Sequence, residues 1–76
     1  TDLDVPMTRA MMAKVVANAL GLTASGSGAF SDTSDSFVQA LYESGISEGY
    51  KDGTFRPGNS LTRAELSAIV WRILNI

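Results

Sequence analysis

Seventy-six residues make one small domain, too short for a multi-domain enzyme or a membrane barrel. At 45% hydrophobic and 18% charged residues the chain is too apolar for a disordered segment and is expected to fold. A net charge of −2, with Arg9, Lys14, Lys51, Arg56, Arg63 and Arg72 scattered along the chain, excludes a basic nucleic-acid-binding stripe, and the absence of Cys and His excludes disulfides, thiolate or imidazole metal sites and histidine-based triads.

No apolar run approaches the roughly 18 residues of a membrane span. The first six residues have neither the basic start nor the apolar block of a signal peptide, so the chain is expected to be mature or excised, with no membrane insertion. A domain of this size buries only about 60% of the surface its unfolded chain exposes, which makes a partner or neighbouring domain useful to it.

In chain order, the first predicted element is a helix from Thr8 to Leu20, in which Met12, Val15, Val16, Ala19 and Leu20 follow a helical spacing. Thr8 caps it and Gly21 stops it. Residues 23–29, Thr-Ala-Ser-Gly-Ser-Gly-Ala, are too small to bury a core and read as a linker. A short helix of about ten residues, Asp35 to Ser44, follows from a Ser34 or Asp35 cap and from Phe37, Ala40 and Leu41 at helical spacing, ending before Gly45. From Ile46 to Ser60 glycines and a proline interrupt the pattern, and Lys51-Asp52-Gly53-Thr54 signals a turn between Tyr50 and Phe55. This is a Gly-rich structured loop, with or without a brief strand pair. The last element is a helix from Thr62 to Leu74, with Leu66, Ile69, Val70, Ile73 and Leu74 on its apolar stripe. Thr62 and Glu65 spell a capping box, in which the hydroxyl accepts from the N3 amide and the carboxylate from the N-cap amide.

The two long helices are copies of one another. Thr8-Arg9-Ala10 returns as Thr62-Arg63-Ala64, and at the same offset Met12 matches Leu66, Val15 matches Ile69, Val16 matches Val70 and Leu20 matches Leu74. Met11 stands where the second copy has Glu65, so the first copy loses the reciprocal bond of the box. The chain therefore divides into the terminal helix of one repeat (residues 1–22), a linker (23–29) and a complete repeat (30–76).

Phe30-Ser31-Asp32, Ala40, Gly45-Ile46, the run Gly49-Tyr50-Lys51-Asp52-Gly53-Thr54-Phe55-Arg56-Pro57 and Leu61-Thr62-Arg63-Ala64-Glu65 together resemble the S-layer homology domain. The resemblance covers Phe30 to Ile76 as a full motif and Met7 to Leu22 as the last third of a preceding one. It implies a non-catalytic bacterial module, secreted and held at the cell surface, that tethers S-layer proteins, exoenzymes or cellulosome scaffolds to the cell wall. Its implied partner is a cell-wall polysaccharide, either a pyruvylated secondary polymer or peptidoglycan and its attached glycans. Its implied fold is all-α: two longer helices and a short one with the Gly-rich loop, forming part of a three-motif spindle whose ligand grooves lie between adjacent motifs.

Arginine suits a pyruvate ketal, because a planar guanidinium gives two parallel donors to one carboxylate and helix N-terminal amides add positive potential. Arg9 and Arg63 both start a helix and are the first candidates. With them stand Thr62 and Glu65 of the box, and Gly49, Tyr50 and Asp52 of the loop. Gly49, Gly53 and Gly58 are expected to supply positive-φ or close-approach backbone, and Tyr50 and Phe55 to pin the loop to the core. Trp71 is expected to pack against a neighbouring helix. Asp32, Asp35 and Asp52 lack the order of a calcium loop and read as caps and turn formers. No cofactor is expected. Glu43, Glu48 and Glu65 do not make a glycosidase, since so short a chain has no room for a deep sugar cleft. The other class of function is structural, an oligomerisation module whose apolar helix faces recruit adjacent motifs or further copies.

Overall fold

The computed structural model describes residues 4–75. Five elements follow one another: β1 (Asp4–Thr8), α1 (Arg9–Leu20), α2 (Ser36–Glu43), β2 (Ser60–Thr62) and α3 (Arg63–Leu74). The helices fall where the spacing puts them, each opened by a side-chain cap. Thr8 accepts from the Met11 amide, Asp35 from Phe37 and Thr62 from Glu65. The capping box of α3 is complete, while α1 keeps only the single threonine bond. Gly21 closes α1 at φ 68°, a left-handed conformation that glycine adopts without steric cost.

The all-α expectation needs a correction. β1 and β2 form an antiparallel pair, with Asp4 opposite Thr62, Thr8 opposite Ser60 and a bulge between. Each strand runs directly into the cap of a repeated helix, so the segments that lead into the two Thr-Arg-Ala starts are held together through their main chains. Segments of three and five residues are too short for alternation to register, and their partners lie far apart in sequence, which is why periodicity misses them. The strand pair that was open in the Gly-rich loop is absent. There the Tyr50 amide donates to the Thr54 carbonyl at 2.8 Å and the Gly53 amide to the Tyr50 carbonyl at 3.1 Å, closing a turn.

The core gathers Met12, Ala13 and Ala17 of α1, Val38 and Leu41 of α2, Leu61 of β2, Ile69 of α3, and Phe30, Ile46 and Phe55 from the connections. The buried face of α1 is rotated from the predicted stripe. Val15 and Leu20 are exposed, and the small Ala13 and Ala17 are fully buried instead, because α2 packs on this side of α1. On α3 only Ile69 is buried, with Leu66 and Ile73 partly covered, and Val70, Trp71 and Leu74 face solvent. Trp71, expected against a neighbouring helix, is 65% exposed.

The small-residue segment of residues 23–29 gives the core only the half-buried Ala29 but is tied down. Glu43 of α2 accepts from the Ser25 amide and hydroxyl and from the Gly26 amide, and Gln39 accepts from the Ala29 amide. The Ser25 amide, the Gln39 amide group and the Ser25 hydroxyl hold the Glu43 carboxyl down to about 2. Asp32 plays the same part for the loop, accepting from the Phe55 and Arg56 amides at 2.9 and 2.8 Å. These bonds fix Arg56 at φ 58°, the positive-φ position expected of Gly58, which does not adopt one. Asp35 caps α2, and Asp52 accepts from the Thr54 amide and hydroxyl within the turn.

Candidate functional site

Arg9 is the first residue of α1, yet its side chain turns inward and the residue is 5% exposed. Its Nε donates to the Phe55 carbonyl at 2.7 Å and its Nη1 to the Glu65 carboxylate. The guanidinium lies 4.5 Å from the Phe55 ring centre and 4.8 Å from that of Tyr50, cation–π distances that compensate for lost water. The Tyr50 hydroxyl donates to the same Glu65 oxygen at 2.9 Å, and Arg56 covers the outer face of Tyr50 at 4.0 Å. Glu65 is thus a hub. One of its oxygens closes the capping box with the Thr62 amide, and the other receives Arg9 and Tyr50.

Burial pushes the Glu65 carboxyl up, but the Thr62 amide, the Tyr50 hydroxyl and the charge of Arg9 outweigh it and leave the group below its ordinary value. Burial and the bond to Glu65 push the Tyr50 hydroxyl up. The site is therefore a carboxylate, a guanidinium and a neutral phenol.

Gly49 lets Tyr50 reach this position. A Cβ there would come within 2.3 Å of Phe30 and 2.7 Å of the Thr54 carbonyl oxygen, and φ is 75°. Only glycine fits between the ring and the turn.

Beside this cluster opens a cleft of about 170 Å³. Arg9, Gly49, Tyr50 and Glu65 line it, as do four residues the sequence reading did not select: Ser47, Glu48, Ala68 and Arg72. On α3 the lining residues Glu65, Ala68, Ile69 and Arg72 follow an i, i+3, i+4, i+7 spacing, a single helical stripe. That stripe was legible. It mixes charged and apolar residues and lies one position from the apolar stripe of Leu66, Ile69, Val70 and Ile73, which hides it from a search for apolar periodicity.

Glu65 pairs with Arg9 across the fold. The first amides of α1 are not free to meet an anion, since Arg9 donates to the Asn59 carbonyl at 2.9 Å, Ala10 to Pro57 at 3.0 Å and Met11 to the Thr8 hydroxyl. Arg63 is exposed in a separate depression with Val5, Pro6, Leu66 and Ser67. Asp52 also stands outside the cleft, where it pairs with Arg56 at 3.3 Å, and Thr62 acts behind Glu65. Of the seven candidates, four share the cleft.

Among the described residues no group of three or more acidic side chains is placed to hold a metal ion, and no helix is long and apolar enough to cross a membrane.

A family model described as the S-layer homology domain matches residues 29–67. A cellulosome-anchoring protein of Acetivibrio thermocellus is 33% identical over 78 aligned positions, which cover 90% of this chain and 17% of the relative. The chain spans about a sixth of that relative's length. No solved structure matches the chain. With the Gly-rich loop, the capping box and the start of α3 inside the matched residues, the chain belongs to the S-layer homology domain family.

Proposed function

We propose that this chain is a non-catalytic anchoring module that holds the protein carrying it on the bacterial cell wall by binding a wall polysaccharide. The observation that carries the reading is the cleft at the junction of the two repeats, to which the first contributes Arg9 and the second Gly49, Tyr50 and Glu65. Such a junction gives a sugar chain a polar wall of fixed donors and acceptors, together with the apolar surface of Ile46, Ala68 and Ile69. Family membership and the anchoring relative support the same reading. The bound polymer is an acidic glycan of the pyruvylated secondary wall polymer or peptidoglycan class, and the place of action is the cell surface.

The test is retention of the purified chain on wall sacculi and on the extracted polymer, before and after mild acid removal of ketal-linked pyruvate. Retention that falls on depyruvylation and with added salt supports a carboxylate contact, because exposed charge pairs are screened. Equal retention on both polymers moves the contact to hydroxyl and ring faces. No retention on any wall fraction defeats the anchoring reading.

A second reading, assembly with adjacent motifs or further copies, is favoured by the unequal cover on the two repeated helices. Ala17 of α1 is fully buried, while Trp71, its counterpart in α3, is 65% exposed beside Val70 and Leu74. The α2 helix covers α1, and the corresponding face of α3 is open to an equivalent helix from another motif. Sedimentation of the chain, alone and as Trp71→Ala, measures this: concentration-dependent association that the substitution weakens is expected, and a monomer at every concentration excludes self-assembly.

A further inference from the structure

We infer that the ligand-facing cation of the cleft is Arg72, gated by Glu48, and that it takes a carboxylate substituent of the glycan. The inference rests on the anchoring reading and adds to it the residue that meets the acidic group.

Four charged side chains line the cleft: Arg9, Arg72, Glu48 and Glu65. Arg9 is already committed. Its side chain is 6% exposed, bound to the Phe55 carbonyl and Glu65 and flanked by two rings, so a ligand carboxylate would have to displace a buried ion pair to reach it. Arg63 and the amides at the start of α1 are not available to the cleft, as described above. Arg72 differs on each count. Its side chain is 36% exposed, and its Nη1 is steadied by the Ile46 carbonyl at 3.3 Å. Its Nη2 stands 4.0 Å from Glu48, at the outer limit of an ion pair.

Glu48 is itself 76% exposed and rotates into solvent at little cost, since pairs of exposed ions contribute little. An incoming carboxylate can therefore replace Glu48 on Arg72 with the parallel two-donor geometry a guanidinium favours. The buried Ser47, whose amide donates a hydrogen bond to the Leu41 carbonyl, lines the cleft close by in sequence. The size agrees. About 170 Å³ is below the roughly 300–1,000 Å³ of pockets that enclose a drug-sized ligand, so the cleft accepts a substituent while the sugar chain runs outside.

A ketal-linked pyruvate and the carboxylates of peptidoglycan share this chemistry. The experiment measures affinity of the wild-type chain, Arg72→Gln, Arg72→Lys and Glu48→Gln for pyruvylated wall polymer, for the same polymer with the ketal removed, and for polymer-free peptidoglycan. Arg72→Gln is expected to lose about tenfold or more on the acidic probe that binds, Arg72→Lys to lose less, and Glu48→Gln to gain a few-fold. The ketal-free polymer should be indifferent to all three if the ketal is the source, and peptidoglycan should show the series if its carboxylates are. Glu48→Gln leaves the fold intact because the side chain lies in solvent, so a gain in it stands even if Arg72→Gln disturbs the Ile46 segment. Wild-type binding that none of the variants changes overturns Arg72 as the contact and leaves anchoring standing. Absence of wild-type binding to every probe overturns both.

Discussion

The segments Thr8-Arg9-Ala10 and Thr62-Arg63-Ala64 have the same residues, the same threonine cap and a strand leading into each, yet their arginines meet opposite fates. Arg9 is buried between Phe55, Tyr50 and Glu65, all supplied by the repeat that follows it, while Arg63 is exposed among Val5, Pro6, Leu66 and Ser67. The local sequence fixes the helix start in both. What comes next in the bundle decides whether the first side chain becomes part of the interior or part of the surface. In this chain the first side chain of α1 is enclosed by the loop and by α3, and the cleft lies where these meet.

The largest effect that tests this contrast is on stability. Arg9→Ala removes one partner of a mostly buried ion pair and should lower stability by roughly 2–3 kcal/mol, less than a fully buried pair because Glu65 is a quarter exposed. Arg63→Ala should stay within about 0.5 kcal/mol. Urea unfolding of both variants measures the difference, and equal losses would break the comparison.

The caps sharpen it further. Thr62→Ala removes the acceptor of the part-buried Glu65 amide, leaving the Thr62 amide on Glu65, and should cost about 1–2 kcal/mol, whereas Thr8→Ala loses an exposed bond from the Met11 amide and should cost about 0.5–1 kcal/mol. Thermal melts of the two variants would contradict the assignment if Thr8→Ala proved the more damaging.

Acid gives the smallest and most gradual effect. Glu65 and Glu43 both titrate below the ordinary glutamate value in the folded chain, Glu43 at about 2. A depressed folded value means the stabilisation is complete above the unfolded value of about 4.3 and is lost as pH falls through the folded one. Stability should thus decline below about pH 5 and keep declining toward about pH 2. Glu65→Gln and Glu43→Gln should each flatten that decline, Glu43→Gln down to about pH 2, and Arg63→Ala should not. Unfolding midpoints measured across this range would refute the assignment if Glu43→Gln left the acid limb unchanged.

Much of this was readable before any coordinates. The helical spacings, the Thr62–Glu65 box and the Gly21 stop depend on contacts within four residues or so, and all three helices formed where expected. The turn at Lys51–Thr54, the Asp35 cap and the Asp52 turn bond were legible for the same reason, whereas Asp32 serves the distant amides of Phe55 and Arg56 and was not. Half of the site was also visible, because Gly49, Tyr50 and Glu65 belong to ordered motifs. Arg72 was not, since an arginine in the last turn of a helix is already accounted for by the helix dipole.

By itself the sequence determined where each helix begins and ends, that the long helix is repeated, and to which family the loop and box belong. Only the tertiary structure decided that β1 pairs with β2, that Ala13 and Ala17 rather than Val15 and Leu20 face the core, that Glu65 holds Arg9 rather than Arg63, and that Arg72 closes the cleft. The physical reason is range. Caps and periodicity are set by neighbours along the chain, whereas burial and ion pairing are set by which surfaces meet, as where Arg9 finds Phe55 and Glu65 across 46 and 56 positions.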